Sequence, residues 1–187
     1  MSPRRTAEEA LQTRASVLDA AFVAARRSAG RFTLDAVARQ AGVTKGAVLH
    51  HFPSKEALVG AMLERELDAF EAAIERNLVQ EEPEGTVGRW LRAYARASFE
   101  VGVPHAGVNE ALLAGVISDA GVLSSYEVRC AVWRERAVED GLGRARAEAV
   151  RLAVDGAATA EMFGLPLGEG AERDELLQEL LDLTRGA

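Results

Sequence analysis

Residues 33–58 read TLDAVARQAGVTKGAVLHHFPSKEAL. Two short helical patterns, Leu34–Ala41 and Lys45–His51, flank a tight Ala-Gly-Val-Thr turn. Thr33 and Thr44 stand where a hydroxyl satisfies a first-turn amide. Gly42 takes the left-handed position after the first helix, where a side chain is costly. Ala38 and Ala41 are small enough for the helices to approach closely, and Val43 and Val48 plug the space between them. Phe52-Pro53 stops the second helix, because the residue before a proline avoids helical geometry. This spacing predicts a helix-turn-helix. Its second helix offers its N-terminal residues outward: Thr44 and Lys45 reach phosphates and base edges, and Gly46 lets the backbone come near a duplex. A glycine-containing helical hairpin also occurs in proteins that bind no DNA, so the hairpin alone leaves both readings open.

Upstream, Thr6 to Glu9 has capping-box spacing. Leu11, Ala15, Leu18, Phe22 and Ala25 recur at intervals of three and four, and Gly30 ends that first helix. Downstream, Ser54 caps a fourth helix with a stripe of Leu63, Leu67, Phe70, Ile74 and Leu78. QEEPEG at 80–85 is a loop. Helices follow over 86–101, 108–117, 122–140, 144–163 and 172–184, separated by turns around Pro104, Ser118–Gly121, Gly141–Gly143 and GLPLGEG at 164–170. The expectation is an all-α chain of about nine helices, with domains at 1–53 and 54–187.

Composition agrees. The 187 residues are 48% hydrophobic, 27% charged and only 5% aromatic, which suits helices and disfavours a sandwich or barrel. The single cysteine, Cys130, excludes an internal disulfide and a cysteine-based zinc site. No run is long and apolar enough to span a bilayer, and no secretory leader stands at the start, so the expected location is cytoplasmic, with no membrane partner. The net charge of -7 is unevenly spread. Residues 1–60 carry nine Lys or Arg against five acids, while the remainder carries 13 against 24. That contrast fits a basic nucleic-acid head on an acidic body, or an unevenly charged solvated surface. No phosphate loop, metal-spaced His/Cys set or nucleophile elbow is present, so no enzyme, cofactor or metal site is expected. His50 and His51 are adjacent on a helix and point about 100° apart, which makes them poor joint ligands.

The typed run Thr33-Leu34, Val37-Ala38, Ala41-Gly42-Val43, Thr44-Lys45-Gly46, Val48, His51-Phe52, Ser54-Lys55 and Leu58 resembles the DNA-binding signature of the TetR family of bacterial transcriptional regulators. The resemblance covers about Leu11 to Leu63. It implies that Thr33 and Lys55 clamp phosphates and that Thr44, Lys45, Gly46, Ala47, His50 and His51 face DNA. Leu49 departs from the pattern, for the family usually has Tyr there to hold a phosphate. His50 is the nearest replacement. Two heads spaced about one DNA turn (~34 Å) would read a palindrome in double-stranded DNA.

The resemblance further implies a body that dimerises and binds a small-molecule effector. Trp90, Tyr94, Asn109, Tyr126, Trp133, Asp155 and Thr159 are candidate pocket residues, although aromatics at helical spacing also serve as plain core. Asp155 is either a polar anchor or the partner of an arginine. Ala157 and Ala160, with Leu176, Leu177, Leu180 and Leu181, are candidates for a homodimer interface or for packing within one chain. The expected function is a homodimeric repressor, bound to the bacterial nucleoid at a palindromic operator and released by a ligand. The alternative is a DNA-binding helical protein with an architectural role or a protein partner in place of the ligand.

Overall fold

The computed structural model describes residues 7–80, 83–101, 108–165, 167–168 and 170–185. Thr6 and the Pro104 turn lie outside them. All regular structure among the described residues is helical: α1 (Ala7–Arg27), α2 (Leu34–Ala41), α3 (Lys45–His51), α4 (Lys55–Gln80), α5 (Arg89–Val101), α6 (Val108–Ser118), α7 (Ala120–Glu139), α8 (Arg144–Met162) and α9 (Ala171–Leu183). No single described helix is long and apolar enough to cross a membrane.

The contacts divide the chain into two compact units. The first comprises 1–65 and 105–125. Its helix ends are set by local chemistry. Thr33 Oγ1 accepts from the Ala36 amide, Thr44 Oγ1 from Ala47 and Ser54 Oγ from Ala57. Gly42 is left-handed at φ 68°, and its amide closes the C-terminal turn of α2. Val17, Ala21, Ala25, Phe32, Val37, Val48, Phe52 and Leu58 form the core of this unit. Leu11 and Ala15 are exposed, so the buried stripe of α1 begins at Val17, later than periodicity suggests. α6 and the first residues of α7 join this unit. Gly115 on α6 lies against Val59, and Gly60 lies against Val122.

The second unit comprises 66–104 and 126–187, in which α5 packs on α8 and α9. Here α5 starts at Arg89, three residues later than expected from Thr86. Thr86 instead closes a turn onto the Pro83 carbonyl. The cap of α5 comes from far along the chain: the Asp140 carboxylate accepts the amides of Trp90 and Leu91, and its carbonyl accepts that of Gly88. α7 begins at Ala120, within the expected break, because the Asp119 carboxylate accepts the Gly121 and Val122 amides.

Candidate nucleic-acid interface

α3 shows one clear outer face. Thr44, Lys45, Gly46 and His50 are exposed, Ala47 and His51 are half-buried, and Val48 is fully buried beneath them. A Cβ placed on Gly46 would meet only Thr44 Oγ1, at 3.8 Å, so the backbone there is open to a bulky partner. The Lys45 ammonium is steadied by Asp35 at 2.9 Å, with both groups more than half exposed. Such a pair contributes little stability and leaves the charge free to exchange partners. The His50 and His51 rings meet edge to face, 5.2 Å apart. Lys55, on the first turn of α4, lies over the Phe32 ring at 4.8 Å, which fixes the direction of its stem. Thr33 is exposed at the start of α2. All eight residues expected to face DNA therefore sit in the first unit at helix starts or on the α3 face. Leu49 is 38% exposed beside them, an apolar spot on the same helix.

The candidate pocket residues separate into two groups. Asn109 lies in the first unit, buried, and its Oδ1 finds no hydrogen-bond partner among the described residues. The others are in the second unit. Trp90 stacks on Tyr94 at 5.1 Å, and Phe70 meets Tyr94 and Trp133 edge to face at 5.3 and 5.1 Å. Phe70 belongs to this cluster, although the sequence pattern marks it only as core. The Trp133 indole donates to Glu71. The Tyr94 hydroxyl donates to Asp155 at 2.6 Å, and Arg151 pairs with the same carboxylate one helical turn away. Asp155 thus has the arginine partner that the sequence leaves as one of two options. Burial pushes its carboxyl above the ordinary value, against the Tyr94 hydrogen bond and the Arg151 charge, which lower it. Burial also raises the phenols of Tyr94 and Tyr126 and the thiol of Cys130. Thr159 is exposed, its hydroxyl donating to the Asp155 carbonyl.

Of the residues expected at a dimer interface, Ala157, Leu180 and Leu181 are covered within the chain. Ala160, Leu176 and Leu177 are half-buried. A more exposed apolar row runs along α8 and just beyond it: Leu152, Gly156 and Phe163, with Leu152 at 58% and Phe163 at 63% exposed. Its members recur at four and seven residues, one helix face. Small residues and paired leucines stand out in the sequence, whereas Leu152 and Phe163 do not.

Two family profiles match the chain. Bacterial regulatory proteins of the tetR family match residues 17–62, and the tetracyclin repressor-like C-terminal domain matches residues 88–185. Over 62 residues the chain is 48% identical to the HTH-type transcriptional regulator TtgR of Pseudomonas putida, a match covering 33% of this chain and 30% of that protein. The chain therefore spans under a third of the length of this curated relative. Among solved structures, a transcriptional regulator from Rhodococcus sp. Rha1 superposes with a TM-score of 0.69 at 19% identity, covering 91% of this chain and 95% of that one. A putative transcriptional regulator from Pseudomonas aeruginosa PAO1 gives 0.69 at 20% identity, over 96% and 90%. These two likenesses are of fold.

Proposed function

This chain belongs to the TetR family of bacterial transcriptional regulators, and from that premise we propose that it is a homodimeric repressor which binds a palindromic operator through residues 1–53 and leaves it when a small molecule binds the body. The observation that carries the reading is the α3 face. Thr44, Lys45, Gly46 and His50 are exposed on or at the start of α3, and Lys55 on the first turn of α4 is held over the Phe32 ring. In this reading Thr33 and Lys55 hold phosphates, which set position and affinity. The few base-edge contacts from α3 set sequence. Ala47 offers only an apolar contact, such as a thymine methyl.

One head gives a small recognition surface, so two copies must act together. We assign the exposed row Leu152, Gly156 and Phe163, together with the half-buried Ala160, Leu176 and Leu177, to the second copy. The effector is assigned to the body beside Trp90, Tyr94, Trp133 and Asp155, where aromatic faces adjoin a half-buried carboxylate. A ligand that favours the dimer form unable to fit the operator lowers operator affinity by the same coupling energy, typically ~1–3 kcal/mol.

The test is fluorescence anisotropy on the duplex upstream of the chain's own gene and on a shuffled duplex at physiological salt. The expected preference is ~10³-fold or more. Lys55→Ala weakens both duplexes about equally, as loss of a phosphate contact must. Equal weak binding of the wild-type protein to both duplexes refutes this operator, and a shift of sequence preference in the variant refutes the phosphate role of Lys55.

A further inference from the structure

Three concavities of similar size carry different charge. One, in the second unit, mixes Arg89 and Arg136 with Glu139 and Asp140. One, in the first unit, carries Glu56, Glu64 and Asp119. The third, also in the first unit, has a volume of about 400 Å³ and lies between the C-terminal end of α1 and α2. Arg27, Arg31 and Arg39 line it, and no carboxylate does.

Among the described residues that third charge set has no carboxylate partner. The Arg27 guanidinium donates to the Gln40 side-chain oxygen at 2.8 Å, a neutral partner that orients the group without cancelling its charge. Arg31 and Arg39 are exposed, and neither has a carboxylate partner among the described residues. The acid nearest in sequence, Asp35, is engaged by Lys45. Three like charges around one hollow repel one another until an anion enters, and planar guanidinium forks match the oxygens of a phosphate. Thr33 belongs to the same wall. The hollow is therefore continuous with the face that presents Thr33 to DNA.

We propose that this cavity is a built phosphate site, in which Arg27, Arg31 and Arg39 hold one backbone phosphodiester of bound DNA. The inference rests on the DNA-binding reading above and adds to it a contact made by α1 and α2, away from the recognition helix. The site reads charge and spacing, not sequence. It anchors each head against the backbone whichever bases α3 meets.

The experiment measures salt dependence of duplex binding by the full-length chain. Each phosphate neutralised contributes ~0.9 to the slope of log affinity on log salt. Arg31→Gln with Arg39→Gln is expected to weaken the upstream and shuffled duplexes by the same factor. It should lower the slope by ~0.9 per bound head, or ~1.8 for two. Both side chains are exposed, and an unchanged thermal melt confirms that the variant folds. Arg31→Lys with Arg39→Lys should keep the slope, since the charge remains. Arg26→Gln, an exposed arginine beside the hollow but outside its wall, should leave slope and affinity unchanged. An unchanged slope in the glutamine pair overturns the proposal. So does an equal fall in Arg26→Gln, which means a diffuse basic field. An unchanged slope together with stabilisation of the wild-type protein alone by pyrophosphate, without DNA, assigns the hollow to a free anion and also overturns it. The operator reading is scored separately, by the wild-type ratio between the two duplexes.

Discussion

Gly115 of α6 faces the side chain of Val59 on α4 so closely that a Cβ added there would lie 2.5 Å from Val59 Cγ1. No ordinary carbon contact is that short. Val59 is 4% exposed, and as a β-branched residue within a helix it has one strongly preferred rotamer, so it cannot swing aside. Gly115→Ala therefore overpacks the site against a side chain that cannot move, at a cost in the upper part of the usual range, ~2–3 kcal/mol. The same change favours the helix interior by ~1 kcal/mol. With Val59 unable to yield, the net result is a loss of about 1–2 kcal/mol, or a fall in Tm of about 2–8 °C for a chain of this size. Val59→Ala alone removes two buried methyl groups and costs ~1.6 kcal/mol or somewhat more. Once Val59 is Ala, the obstacle is gone and a vacancy stands in its place. In that background Gly115→Ala should stabilise by ~0.5–1 kcal/mol. The effect of one substitution thus changes sign with the residue across the contact. Thermal unfolding of the four proteins at a fixed protein concentration reads the cycle. Lys55 lies one turn before Val59 on α4, so Gly115→Ala should also weaken duplex binding and Val59→Ala should restore it. If Gly115→Ala has the same sign in both backgrounds, the close approach does not limit packing and the reasoning fails.

Two further outcomes follow from the second unit. Arg92 is 1% exposed and donates to the carbonyls of Val87 and Thr184 and to the Thr184 hydroxyl, joining α5 to the end of α9. Arg92→Met should lower stability by ~2–4 kcal/mol in urea unfolding, because those buried acceptors lose their donor. Arg92→Lys should not recover it, because an ammonium is more strongly hydrated than a guanidinium and costs more to bury; a change under ~0.5 kcal/mol in either variant counts against this role. Burial holds the Asp155 carboxyl above 3.8, so the folded chain binds a proton there more readily than the unfolded chain. Its contribution to stability is fully present below 3.8 and declines as pH rises through the raised folded value. Tyr94→Phe removes a donor that lowers this value and should carry the decline to higher pH, while Asp155→Asn should abolish it. Urea midpoints measured against pH decide, and an unaltered profile in Asp155→Asn refutes the assignment.

The head was legible because its folding signals are local. Thr33, Thr44 and Ser54 each cap the helix that begins one residue later, and the left-handed Gly42 closes its amide onto Ala38 and Arg39, four and three residues back. In the body the deciding partners are remote. Asp140 caps α5 from 49 and 50 residues away, and no window around Thr86 contains that information. The aromatic cluster joins Phe70, Tyr94 and Trp133 from three helices. Helical spacing places Phe70 on the inner stripe of α4, where it is half-buried, but does not reveal its ring partners. The leucines of α9 show a further limit. Periodicity tells that a face is apolar, but not whether the same chain or a second copy covers it. Leu180 and Leu181 are covered internally, whereas Leu152, on a helix whose small residues are its plainest feature, is not.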